Sequence, residues 1–187
     1  MLEKHWSATR ILAVGFALMI LFGGILLWLP IASRGGQGIS FLDALFTATS
    51  ATCVTGLVVA DTWSQFTFFG QGVILLLIQI GGLGFMVFAT LVMIALGKRI
   101  SLRNRVLIRE SLNTNSLGGL VRLSKWYSFL ALFIELCGAL ILSIRFVPMY
   151  GWGKGLWFSI FHAISAFCNA GFDLFGGFRS LVEFQHD

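Results

Sequence analysis

Charge is scarce in this sequence. Only 11% of its 187 residues are Asp, Glu, Lys or Arg, where an ordinary soluble domain carries about 25%. With 57% hydrophobic residues and a mean hydropathy of +0.89, such a chain reads as an integral membrane protein. Acids are scarcer than bases, eight against thirteen. The net charge of +5 would suit nucleic acid, but the bases cluster beside hydrophobic segments, which is the pattern of membrane topology; no nucleic-acid partner is expected. Cysteine is limited to Cys53, Cys137 and Cys168. They are odd in number and embedded in apolar or small-residue sequence, so neither a disulfide framework nor a C-x-x-C metal site fits. Nucleotide-binding signatures are also missing. GGLGFM at 81–86 has glycines but no preceding strand and no Walker lysine, so it points to close helix packing or a bend. No organic cofactor and no enzymatic activity are expected, and any driving energy would come from ion gradients or membrane potential.

Three long apolar segments are present. The first, about Trp6 to Ile31, is uncharged between Arg10 and Arg34 and long enough to span. Its apolar run exceeds a signal-peptide core, and no small-residue cleavage site follows. The second, about Phe66 to Leu96, is longer than about 20 residues and must tilt, bend or protrude. The third, about Trp126 to Val147, holds one acid, Glu135. Trp6, Trp28, Trp63 and Trp126 fall near segment ends, where an aromatic belt sits. Lys98, Arg99, Arg103, Arg105, Arg109, Arg122 and Lys125 lie between segments two and three against Glu110 alone, whereas Arg34 is the only base in 32–65. The positive-inside rule therefore predicts a multi-pass protein of the cell membrane with a cytoplasmic N-terminus and an outer 32–65 loop.

That outer loop contains SFLDALFTATSA at 40–51, opened by Ser40 with Asp43 three residues on, a capping-box start. A helix of this length covers roughly 16 Å, too short to cross. It reads as a re-entrant half-helix whose returning chain borders an aqueous cavity, because backbone without internal hydrogen bonds is tolerated at membrane depth only there or inside protein. Nearly the same pattern recurs 115 residues later: SATCVTGL at 50–57 aligns with SAFCNAGF at 165–172. Ser50/Ser165, Ala51/Ala166, Cys53/Cys168 and Gly56/Gly171 are identical, as are Phe46/Phe161 and Ala48/Ala163 upstream. The predicted unit is span, half-helix, glycine-closed loop, span, with a pathway on the repeat axis.

A cation entering a membrane exchanges hydration for oxygen dipoles, which backbone carbonyls supply without burying a full charge. Extended residues of alternating handedness turn successive carbonyls to one side, and glycine tolerates the angles required. Thr52–Gly56 and Phe167–Gly171 have that character, and the negative ends of both half-helices would point at the ion. Neither Val54-Thr55-Gly56 nor Asn169-Ala170-Gly171 contains an acid, which suits a monovalent rather than a divalent ion. Asp61 and Asp173 follow the two loops at the expected outer mouth, either attracting cations or merely solvated.

TCVTGL (52–57), QIGGLGFM (79–86) and the short stretch before the first span resemble the Ktr/Trk/HKT potassium transporters, particularly the Ktr membrane subunit. The resemblance implies an all-α integral membrane fold of repeated span, re-entrant pore loop, span units. It is potassium-channel-like, with four repeats around one pore and about one and a half of the four present here. The implied organisation is a first repeat at 1–97, a basic cytoplasmic loop at 98–125 and an incomplete second repeat at 126–187. Gly56 and Gly171 match the family's filter glycines, and Val54, Thr55, Asn169 and Ala170 would offer carbonyls to K⁺. K⁺ is the implied transported ion, with Na⁺ a second candidate. Implied partners are the membrane, a second copy in a homodimer and a cytoplasmic nucleotide-binding regulatory subunit. Ending at Asp187, before the second repeat's closing span, the chain is expected to be a fragment. A truncated, non-conducting assembly subunit is the alternative.

Three features stand apart from the loops. Glu135 inside a span is costly and is either functional or paired to a neighbouring helix. His162 and Ser165 lie at helical spacing but have no evident orienting acid, and the repeat partner of His162 is Thr47, so catalysis is not expected. RNRVLIRESL at 103–112 is partly amphipathic and serves either topology alone or docking of a regulatory subunit or anionic lipid.

Overall fold

The computed structural model of the protein describes residues 8–36, 38–84, 87 and 120–184. Lys4, Trp6, most of segment two beyond Gly84, and the basic stretch with Lys98, Arg99, Arg103, Arg105 and Arg109 lie outside the described residues.

All regular structure among the described residues is helical. The described residues include the α-helices α1 (Ala8–Trp28), α2 (Phe41–Thr52), the single turn α3 (Thr62–Gln65), α4 (Phe68–Leu83), α5 (Leu120–Tyr150) and α6 (Trp152–Phe167). Arg10–Trp28 and Arg122–Tyr150 are long and apolar enough to cross a bilayer, which suits a medium in which each helix must satisfy its own backbone. The second expected span is only partly described. Its helix α4 is 16 residues long and closes at Gly84, with φ +86°, a conformation that glycine adopts at little cost. The third apolar segment runs beyond its predicted limits, beginning at Leu120 and ending at Tyr150 with Pro148 in its last turn.

Local chemistry accounts for the half-helix. The Ser40 hydroxyl accepts from Asp43 N (3.1 Å) and donates to Asp43 Oδ2 (2.7 Å), so Ser40 caps α2 at the predicted start. The chain then leaves α2 at Cys53, turns through α3 and begins α4. A cross-link closes this excursion at its base: Arg34 N donates to Gln65 O at 2.7 Å and Thr67 N to Ala32 O at 2.9 Å. Arg34 Nε also donates to Phe66 O at 3.0 Å.

Small residues set how closely the helices approach. A Cβ on Gly24 would stand 3.3 Å from Leu45 Cα of α2, and one on Gly23 2.7 Å from Leu77 of α4. In the second half, Gly151 at φ +81° turns the chain from α5 into α6, and a Cβ on Gly155 would meet Phe146 O at 2.6 Å. Thus α1 packs on α2, α5 on α6, and α4 touches both short helices. Leu27, Ala48, Ile74, Ile78, Phe158 and Phe161 lie in the core between them. Long runs of α5 stay exposed, including Phe133, Leu140 and Ile144.

Candidate functional site

Both short helices end in the same way. Cys53 and Cys168 are the C-caps, and three backbone bonds recur 115 positions apart. Cys53 N donates to Thr49 O (2.8 Å) and Cys168 N to Ile164 O (2.9 Å). Val54 N reaches Ala51 O (3.3 Å) and Asn169 N reaches Ala166 O (3.0 Å). Thr55 N and Ala170 N return to Ser50 O and Ser165 O, at 3.0 and 2.7 Å.

The dihedral angles repeat as well. Val54 and Asn169 have φ +50° and +56°, while Gly56 and Gly171 have φ +72° and +74°. Thr55 and Ala170 between them are not left-handed, so handedness alternates along each triplet. Positive φ is uncommon outside glycine and an outlier for a β-branched residue such as Val54. Such strain persists only where the surroundings enforce it, most often at functional sites.

The two loops touch. A Cβ on Gly56 would stand 2.6 Å from Ala170 O and 3.2 Å from Gly171 Cα, and one on Gly171 would stand 3.4 Å from Gly56 Cα. A side chain at Gly56 is therefore excluded where the loops meet, whereas at Gly171 it is the left-handed backbone that disfavours one. The six residues Val54, Thr55, Gly56, Asn169, Ala170 and Gly171 thus form one cluster, with the C-terminal ends of α2 and α6 directed at it. Each end carries about half a negative charge.

Helix α4 abuts both loops through the QIGGLG stretch. A Cβ on Gly81 would lie 2.0 Å from Thr52 O, and one on Gly82 would lie 2.4 Å from Cys168 Sγ and 2.7 Å from its Cβ. The paired glycines let one helix lie against the entrance to both loops, which is the close packing anticipated from their sequence. Nearby, Gln79 Nε2 donates to both Glu135 oxygens, at 2.9 and 3.0 Å, so the acid within the long apolar helix is paired to α4.

The segments that follow the two loops are held by contacts distant in sequence. Asp61 caps α3 by accepting from Ser64 N at 2.7 Å and also accepts from Phe178 N at 3.2 Å. Partial burial would raise its pKa, but the bonds from Ser64, Phe178 and Gly177 outweigh it and hold the carboxyl below its ordinary value. Asp173 shifts the other way: burial raises its pKa, the Phe175 N–H partly offsets this, and the Asp61 charge adds to the rise. Asp61 is thus a structural cap. Asp173 lines a cavity of about 170 Å³ with His162, Ser165, Asn169 and Gly171.

Several site residues escaped the sequence reading. Gln71 is buried, donates to Phe66 O at 3.0 Å and accepts from Trp157 Nε1 at 2.8 Å, joining α4 to α6. A Gln within an apolar run was its only signal. Trp63 also serves as a cation–π platform, with Arg34 and Lys154 over its ring at 4.2 and 4.3 Å. His162 and Ser165 are engaged separately with backbone atoms of the second loop, which leaves no hydrolytic pair.

Residues 9–187 match the family model described as TrkH, cation transport protein. The chain belongs to the TrkH cation transport family. It is 57% identical over 170 residues to Ktr system potassium uptake protein B of Bacillus subtilis, covering 91% of this chain and 38% of that protein. It is 48% identical to potassium/sodium uptake protein NtpJ of Enterococcus hirae, covering 93% and 39%. With Ktr system potassium uptake protein B of Vibrio alginolyticus it shares 43% identity, covering 95% and 38%. The chain therefore spans under two fifths of the length of these TrkH-type relatives. The sequence resemblance to the Ktr/Trk group stands, and the family is one of membrane cation transporters rather than enzymes.

Proposed function

We propose that the chain supplies two of the four filter loops of a K⁺ uptake pore, as part of the ion-translocating subunit of a Ktr-type system. The observation that carries this reading is the duplicated backbone: alternating handedness at 54–56 and 169–171, with the loops in contact at their glycines. Alternation turns the carbonyls of Val54, Thr55, Gly56, Asn169, Ala170 and Gly171 toward a common axis. There they replace the hydration shell of a monovalent cation. The half-helix dipoles add attraction without a fixed acid, so an ion binds weakly enough to leave.

The pore reading assigns 1–97 and 126–187 to two repeats of a fourfold ring and 98–125 to a cytoplasmic connection, with the N-terminus on the same side. The relatives' names support K⁺ as cargo, and one of them includes Na⁺, so both ions are to be measured. A homodimer with a cytoplasmic nucleotide-binding regulator is the assembly we propose. Exchange of Gly56 for Ser in the full-length protein tests the filter. The new Cβ collides with Ala170 O and Gly171 Cα at a left-handed position, where a side chain costs about 1–2 kcal/mol before any collision. Rb⁺ uptake relative to Na⁺ uptake in a K⁺-transport-deficient strain is expected to fall about tenfold. An unchanged ratio in a normally expressed variant refutes the assignment.

A further inference from the structure

The two loops share a backbone but not their supports. After Gly56 the chain faces outward, with Leu57 60% and Val59 48% exposed; at the matching positions after Gly171, Phe172 is 2% and Leu174 0% exposed. Two polar side chains of α6 hold that second exit strand. Ser165 Oγ donates to Phe172 O at 2.7 Å, and Leu174 N donates to His162 Nε2 at 3.2 Å. Because Nε2 accepts, the ring proton belongs on Nδ1, which donates to Phe158 O at 2.7 Å. The neutral imidazole is thus a two-ended strut between the half-helix and the strand. Its face stacks on Phe175, with centroids 4.3 Å apart and planes at 25°, so it has little freedom to turn. The repeat partner Thr47 donates to Asp43 O of its own helix, at 2.8 Å. In the first loop, the brace is instead Ser50 Oγ to Thr55 Oγ1, at 3.0 Å.

We propose that His162 and Ser165 are positioning residues that set ion selectivity through the second loop, by fixing the strand from Phe172 to Leu174 and with it the carbonyls of Asn169 to Gly171. This rests on reading the loops as a K⁺ filter. The two bonds fall one and three residues beyond Gly171, so freeing either end lets the triplet's carbonyls tilt. A loosened cage discriminates less between ions of different radius, since smaller ions then find closer oxygens. The first loop, without such struts among the described residues, depends on its own Ser50–Thr55 contact, so the second loop's contribution to selectivity is separable by mutation.

The test uses the full-length protein in liposomes and reads Rb⁺ and Na⁺ flux separately. Loss of one bond of about 1 kcal/mol corresponds to about fivefold in an equilibrium. His162→Leu is therefore expected to lower the Rb⁺/Na⁺ flux ratio about fivefold, chiefly by admitting Na⁺. His162→Gln retains a carbonyl that Leu174 N can reach and is expected to stay within about twofold of wild type. Thr47→Val, at the matching place in α2, is expected to leave the ratio unchanged. Ser165→Ala removes the Phe172 bond with little change of shape, and it decides the matter if His162→Leu fails to fold. A wild-type ratio in Ser165→Ala, or a loss in His162→Gln as large as in His162→Leu, overturns the positioning role. Gly171→Ser separates the two levels. If it lowers the ratio while Ser165→Ala and His162→Leu do not, only this inference falls. If Gly171→Ser leaves the ratio intact, the filter reading falls and takes this inference with it.

Discussion

Exchange of Gly81 for Ala is the sharpest perturbation of the packing beneath the loops. The added Cβ would stand 2.0 Å from Thr52 O, where real Cβ atoms do not come closer than 3.0 Å, so α4 or loop one must move by about 1 Å. The obstructing atom is backbone and cannot rotate away. Overpacking of this kind typically costs about 1–3 kcal/mol. Gly72 provides an internal reference on the same helix, because a Cβ there meets nothing within 4 Å. Its exchange for Ala is expected to stabilise the helix by up to about 1 kcal/mol through propensity alone. The two variants should therefore differ by roughly 1–4 kcal/mol. Thermal unfolding of the purified full-length protein in detergent measures this, with Gly81→Ala melting well below wild type and Gly72→Ala at or above it. Equal melting of the two alanine variants would refute the close approach of α4 to the first loop. Gly82→Ala is expected to fall between them, because Cys168 Sγ can swing aside while its Cβ, at 2.7 Å, cannot.

The inter-helix pair makes a second prediction. Glu135→Leu leaves the Gln79 amide without the acceptor it uses and is expected to cost about 1–3 kcal/mol, whereas Glu135→Gln keeps an acceptor and loses less; the same melting assay separates them. Asp61→Asn keeps an oxygen for Ser64 N but removes the carboxylate that also holds Phe178 N. Since the folded pKa of Asp61 is lowered, its contribution is fully present above the ordinary carboxylate value of about 4 and is lost as pH falls through the folded value. Limited proteolysis of the 174–184 segment should show Asp61→Asn cut faster than wild type at pH 7, with the difference vanishing in strong acid. A difference that grows on acidification would contradict the cap.

Much of the site was visible in sequence because its determinants are local. Ser40 and Asp43 state where α2 starts, and the identities at 50/165, 53/168 and 56/171 mark two equivalent loops whose shared backbone hydrogen bonds span five residues or fewer. Gly81 and Gly82 announced close packing, though not against what. Contacts between distant residues carried no such signal. Gln71 meets Trp157 across 86 residues, Gln79 meets Glu135 across 56, and Asp61 meets Phe178 across 117; only the folded arrangement pairs them. Asp61 and Asp173 look alike as acids following a loop, yet one is a bonded cap and the other lines the cavity beside the second loop. His162 looked idle because its repeat partner is Thr47, and that difference now marks where the two loops diverge.

The central claim is that the carbonyls of residues 54–56 and 169–171 hold a monovalent cation. Anomalous diffraction from crystals of the full-length protein soaked in Rb⁺ or Tl⁺ tests it directly. The account predicts a peak within coordination distance of the Gly56 and Gly171 carbonyl oxygens, lost when Gly56 is exchanged for Ser. Strong anomalous density elsewhere in the membrane region, with none between these two glycines, would contradict it.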